Sequence, residues 1–91
     1  MAKIKVRLTL KDGEGCQIVI KVGNQTIDFQ NSGTKTIELD PKRYTALIAG
    51  FQDPASTDSN VKIEFLQDQN LLNDITISES SFIRPLRVTV N

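Results

Sequence analysis

The chain has 91 residues, 38% of them hydrophobic and 24% charged, with eleven Lys and Arg balancing eleven Asp and Glu. That is the size of one domain around one core, and a net charge of zero excludes both a strongly basic nucleic-acid binder and an acidic disordered tail. Histidine is absent and Cys16 is the one cysteine, which excludes an intramolecular disulfide, a Cys/His zinc site and Ser-His or Cys-His catalysis.

Hydrophobic residues recur with period two, the period of a half-buried strand. Over residues 3–11, Ile4, Val6, Leu8 and Leu10 point one way, and Lys3, Lys5, Arg7, Thr9 and Lys11 the other. Asp12-Gly13-Glu14-Gly15 is a turn. Cys16, Ile18, Ile20 and Val22 form a second inward set, ended by the tight-turn pair Gly23-Asn24. Ile27 and Phe29 make a short third strand, and Asn31-Ser32-Gly33 turns the chain again. Ile37 and Leu39 mark a fourth strand, closed by Asp40-Pro41.

The fifth strand is apolar on both sides. Tyr44, Ala46 and Ile48 alternate with Thr45, Leu47 and Ala49, which predicts a strand that is central or covered on both faces. Residues 50–60 are the longest breaker-rich loop. Val61, Ile63 and Phe65 form a sixth strand, Ile75 and Ile77 a seventh, and Leu86, Val88 and Val90 the last. Residues 66–74 also admit a single helical turn through Leu66, Leu71 and Leu72. Eight short strands with turns every 8–12 residues or so predict an all-β fold. Mainly β-branched and Leu inward residues favour an antiparallel two-sheet sandwich of seven or eight short strands over a closed barrel.

Residues 37–52 read Ile-Glu-Leu-Asp-Pro-Lys-Arg-Tyr-Thr-Ala-Leu-Ile-Ala-Gly-Phe-Gln. This segment resembles one found in carboxypeptidase regulatory-like, transthyretin-like and PEGA domains. There, one strand ends in a Pro-containing turn, and the next begins with an aromatic and ends in Gly plus an aromatic. Leu39, Pro41, Tyr44, Gly50 and Phe51 hold those places, and residues 16–23 resemble the families' Val-x-Val-x-Gly strand and turn. Lys42-Arg43 stand where a Gly usually follows the Pro. The resemblance implies a small sandwich of seven or eight strands, transthyretin-like or immunoglobulin-like, that serves as a non-catalytic add-on in bacterial exported or surface proteins. It carries over no functional residues.

Two surfaces are candidate sites. If every connection reverses the chain, loops 12–15, 31–33, 51–60 and 79–85 share one end. They bring together Asp12, Glu14, Asn31, Asp53, Asp58 and Glu79, oxygen donors of the kind that hold calcium. The second is the basic face Lys3, Lys5, Arg7 and Lys11, suited to an acidic polymer, with Asp28, Glu38 and Glu64 placed to neutralise it across strands. Tyr44, Phe51 and Phe82 are the aromatics available for a sugar platform. The carboxylates are too scattered for a paired acid–base site, and Cys16 reads as a small core hydrophobe.

The expected function is therefore a non-catalytic structural or protein-interaction module. The alternative is a ligand-binding module for carbohydrate, calcium or an acidic polymer. No cofactor, resident metal, nucleic-acid partner or membrane span is expected, and the partner is expected to be protein. An edge strand, the first or the last, is the expected contact. As written, the chain is expected to be cytoplasmic, or exported or at the cell surface if it is a domain of a longer protein.

Overall fold

The computed structural model describes residues 1–54 and 58–91, with the backbone alone at residues 14 and 54. Among these residues eight strands are found and no helix. They are β1 (Ala2–Lys11), β2 (Gly13–Val22), β3 (Gln25–Phe29), β4 (Gly33–Leu39), β5 (Arg43–Pro54), β6 (Asn60–Gln67), β7 (Asn70–Ile77) and β8 (Ser81–Thr89). They form two antiparallel four-stranded sheets, ordered β4-β1-β6-β7 and β3-β2-β5-β8. The fold is the all-β sandwich expected from the alternation.

The inward residues are those of the period-two reading. Ile4, Val6 and Leu8 of β1, Val61, Ile63 and Phe65 of β6, Ile18, Ile20 and Val22 of β2, and Ala46 and Ile48 of β5 are buried between the sheets. Cys16, Phe29, Ile37, Leu39, Ile77, Phe82, Leu86, Val88 and Val90 complete this core. Each sheet thus offers an apolar inner face, and the pair is held by burial of those two faces.

The topology contains a repeat that the sequence does not display. Adding four to each strand number turns β4-β1-β6-β7 into β8-β5-β2-β3, the second sheet read backwards. In the first half the β2–β3 hairpin folds away from the β1–β4 pair onto the opposite sheet. In the second half the β6–β7 hairpin does the same from the β5–β8 pair. The halves meet where β1 pairs with β6 and β2 with β5.

This arrangement corrects three expectations. First, β1 lies inside its sheet between β4 and β6 rather than at an edge; β8 is an edge strand as expected. Second, residues 67–73 make a hairpin rather than a helical turn, because Gln67 pairs with Asn70. Third, β5 continues through residues 50–54 and β8 begins at Ser81, so the loops expected at 50–60 and 79–85 are shorter. The partners across the sheet decide these limits, since ladder hydrogen bonds override local breaker residues.

Two hairpins show how turn chemistry acts. At β2–β3, Val22 pairs with Gln25 around Gly23-Asn24, and Gly23 takes φ 59°. Positive φ at the first central residue, with glycine there, is the requirement of a type II′ turn. At β6–β7, both central residues, Asp68 (φ 51°) and Gln69 (φ 69°), are left-handed, the type I′ requirement. Glutamine carries a steric cost there that glycine avoids. Gln69→Gly is therefore expected to raise stability, by about 0.5–1 kcal/mol. Urea unfolding checks this; a loss of stability would mean that the Gln69 side chain holds the hairpin.

The open sides of the sandwich are closed by polar contacts. Asn73 Nδ2 of β7 donates to the Arg87 carbonyl of β8 at 2.7 Å. On the other side, Lys35 of β4 points inward from the edge and reaches across to β3. Its Nζ lies 3.6 Å from Asp28 Oδ1 and 5.2 Å from the centre of the Phe29 ring. Inward charges and short strands are known edge protections. On β8, Pro85 removes a ladder donor.

Candidate functional site

The loops expected at one end do meet there. Leu10 N donates to Ser32 Oγ (2.9 Å), Cys16 N to Gln30 O (3.1 Å) and Gln52 N to Ser80 O (2.8 Å). Ser59 Oγ donates to the Asp12 carbonyl. The acidic side chains there are dispersed. Asp12 sits in the β1–β2 turn with φ 54°. Asn31 Oδ1 accepts from the Ser32 amide at 2.9 Å. Asp53 is exposed, opposite Gly15. Asp58 is exposed, and its carbonyl accepts from Asn60 Nδ2. Glu79 is paired with Arg84. The Glu14 side chain and residues 55–57 lie outside the described residues. Among the described residues no three His, Cys, Asp or Glu side chains come together as a metal site.

Gln52 is the residue at this end that sequence reasoning missed. Its expected place was a loop, yet it lies inward on β5, 3% exposed. Its Nε2 donates to the Ile77 carbonyl (3.0 Å) and the Glu79 carbonyl (2.9 Å), tying the second sheet to the β7–β8 connection. Its Oε1 is buried without a hydrogen-bond partner among the described residues.

The basic face stands outward on β1, with Lys3, Lys5, Arg7 and Lys11 all exposed. Its partners are partly those expected. Arg7 holds Glu64 of β6 through two hydrogen bonds of 3.0 and 3.1 Å, and Lys3 stands opposite Glu38 of β4. Asp28 lies in the other sheet, on β3, and faces Lys35 instead. On β6, Lys62 Nζ is 4.0 Å from Asp74 Oδ2. Outer charges of both signs alternate over this sheet, which is how a solvated face is built.

Two of these pairs set a pH dependence. Hydrogen bonds from Arg7 hold the Glu64 carboxyl below the usual range, against a smaller opposing push from desolvation. Arg84 does the same for Glu79. A carboxylate whose folded pKa is lowered stabilises the fold above its unfolded pKa, and the contribution disappears as pH falls through the folded value. Stability is therefore expected to drop below about pH 4.3, the ordinary Glu value, and to drop less steeply in Glu64→Gln/Glu79→Gln. Melting curves taken across that range check it. Parallel profiles would show that these exposed pairs carry no linkage.

The remaining candidates separate by burial. Phe82 is buried at 7% exposure, and Tyr44 is half-buried with its hydroxyl donating to the Asp40 carbonyl at 2.8 Å. Phe82 therefore offers no free ring face for a sugar. Cys16 is buried, its Sγ directed at the Phe29 carbonyl, and desolvation pushes the thiol pKa up. That is the setting of an unreactive core thiol.

The outer face of the second sheet differs from all these. The β5 strand is central, as expected, but its outer side is open to solvent. Cross-strand register places Val19, Ala49 and Ile83 in one row, and Lys21, Leu47 and Pro85 in the next. Phe51 stands beyond them, between Gln17 and Ser81. Val19 is 41% exposed, Leu47 46%, Phe51 55% and Ile83 72%. This makes a continuous apolar strip across β2, β5 and β8. Asp53 lies at one end of the face, and Arg43 and Arg87 at the other. Each apolar residue taken singly is ordinary; only the pairing register assembles them. Ile83 falls within the loop expected at 79–85, so no sequence signal points to the strip beyond the doubly apolar β5.

No helix among the described residues is long and apolar enough to cross a membrane. No family model, curated protein or solved structure matches this chain.

Proposed function

We propose that this domain is a non-catalytic protein-interaction module that works through the outer face of its second sheet. The observation that carries the reading is the strip of Val19, Leu47, Ala49, Phe51, Ile83 and Pro85 on that face. An antiparallel sandwich ordinarily turns polar residues outward along each strand, and the first sheet does so with Lys3, Lys5, Arg7, Lys62 and Glu64. An apolar centre with a charged rim is the anatomy of a protein-binding patch. Two of the four edge strands are less suited to strand addition, because β8 carries Pro85 and β4 turns Lys35 inward.

An unbiased selection of peptide binders from a display library tests this reading. Most recovered peptides are expected to lose binding to Ile83→Lys and to keep it with Lys5→Glu. Peptides that ignore Ile83→Lys and respond instead to changes at Asp12, Asp53 or Lys5 would overturn it.

A second reading, ligand binding at the acidic end, is favoured by the buried Gln52 Oε1, which has no partner among the described residues, since such a group ordinarily has one. Calcium titration followed by amide shifts separates the two. Saturable shifts confined to residues 12–15, 31–33, 52–60 and 78–80 would support a cation there. None up to several millimolar, a weak extracellular-type affinity, would remove it.

A further inference from the structure

We propose that the occupant of the apolar face is a second copy of this chain, packed sheet to sheet with β5 of one copy running antiparallel over β5 of the other. The inference rests on the interaction reading above and adds the partner and its register.

The argument is one of self-complementarity. A two-fold axis lying in the face and crossing the strands at the level of Ile48 reverses the strand direction and keeps each strand over its own equivalent. It then sets Arg43 over the other copy's Asp53, Thr45 over Phe51, and Leu47 over Ala49. Arg87 lies beside Thr45 in the same row, so two guanidinium groups face each Asp53 and Phe51. Among the described residues, ion pairs join Arg7 to Glu64, Lys35 to Asp28, Lys62 to Asp74 and Arg84 to Glu79. Arg43, Arg87, Lys21 and Asp53 are left with no ionic partner among these residues.

Shape follows the same two-fold relation. One shallow hollow at the arginine end of this face is lined by Arg43, Tyr44, Thr45, Arg87 and Thr89. Another, at the opposite end, lies beside Phe51 and Asp53. The reversed copy lowers its Phe51 ring into the arginine-lined hollow, where guanidinium groups stack on an aromatic face. The same register carries Lys21 over Val19 of the other copy, beside that copy's Asp28, which pairs across with Val19. One rotation thus satisfies both ends and the flank, as an isologous interface requires. The other sheet-to-sheet rotation, about an axis along β5, stacks Arg43 on Arg43 and Asp53 on Asp53. Like charges exclude it.

The covered area sets the expected strength. With strands about 4.8 Å apart and outward residues about 6.7 Å apart along a strand, some twelve outward residues span roughly 400 Å² per copy. With side-chain relief, the pair would bury on the order of 1,000 Å² in total, near the lower limit for a specific interface. The dimer is therefore weak and reversible. It also accounts for the doubly apolar β5: both faces are covered, the inner by this chain's first sheet and the outer by the partner copy.

Sedimentation equilibrium from about 1 μM to 1 mM, a range spanning weak interfaces, tests the proposal on the intact chain. A monomer–dimer equilibrium within that range is expected. Ile83→Lys should weaken it at least tenfold and Lys5→Glu, on the opposite face, should leave it unchanged. Ile83 is 72% exposed, so its variant keeps the fold, which circular dichroism checks. Arg43→Asp and Asp53→Arg should each weaken association severalfold, because each change acts twice in a two-fold dimer. The double swap should restore it. A monomer at 1 mM, a dimer indifferent to Ile83→Lys, or a double swap no better than the weaker single variant would overturn the proposal. A monomer whose selected peptides still depend on Ile83 would leave the interaction reading standing and remove only the second copy.

Discussion

Gly50→Ala is expected to destabilise the fold by about 3 kcal/mol or more, in the range of a named backbone clash rather than a surface change. Gly50 sits in the middle of β5, directly opposite Ile18 on β2 and Phe82 on β8. Its φ is 155°, and a Cβ placed on it would lie 2.1 Å from the Gln17 carbonyl oxygen and 2.8 Å from the Ile18 Cα. Those neighbours are main chain, so they cannot swing aside as a flexible side chain would. Relief requires β2 and β5 to separate where the two halves of the fold join. Gly33→Ala is the control. Nothing lies within 4 Å of a Cβ there, so that change should be neutral or stabilising by up to about 1 kcal/mol through the unfolded chain. Urea unfolding of both variants decides the matter. A cost below about 1 kcal/mol at position 50 would show that the ladder relaxes easily around the new methyl group.

Phe65→Ala should cost about 3–5 kcal/mol, the usual range for removing a buried ring and leaving a cavity. Phe65 is the largest of the fully buried side chains, at 0% exposure. It projects from β6 opposite Val6 and Asn73, next to the register shift at Phe65/Leu66. A domain of this length has a total stability of roughly 5–14 kcal/mol at 0.05–0.15 kcal/mol per residue, so one substitution removes a large share. The urea midpoint should fall with little change in slope. Leu71→Ala, at 51% exposure, should stay within about 1 kcal/mol of the parent. Similar losses at both positions would mean that the β6–β7 hairpin contributes more to the core than its exposure indicates.

How much of this was legible in the residues depends on the range over which each feature is decided. Strand identity and facing are local. A pleated strand turns successive side chains to opposite sides, so Ile4, Val6, Leu8, Ile18, Ile20, Ile63 and Val88 could be assigned inward from alternation alone. Each of them is buried. The loops that share the acidic end were also predictable, because a chain of reversing strands sends alternate connections to one end. Of the candidate interaction face, the residues disclosed one clue, the doubly apolar run of β5, read as a strand central or covered on both faces; it is central, with its outer side exposed in the single chain.

The rest required the tertiary structure, because strand neighbours are chosen by long-range contacts that no local pattern encodes. Two strands of similar alternation, β1 and β4, read alike, yet β1 is interior and β4 an edge. Gln52 looked like a loop residue until the β7–β8 connection supplied two carbonyls for it. Gln69 gives no sign of a left-handed backbone; the pairing of Gln67 with Asn70 imposes it. Val19, Leu47 and Ile83 are far apart in sequence and become one surface only through the β2–β5 and β5–β8 registers. Composition and alternation alone specify an all-β sandwich, its inward residues and the lack of histidine. Which strands neighbour one another, and hence which outward residues join into a face, was decided by the packing of the two sheets. Pairing depends on the whole set of inter-strand contacts, whereas alternation depends only on the pleat of each strand.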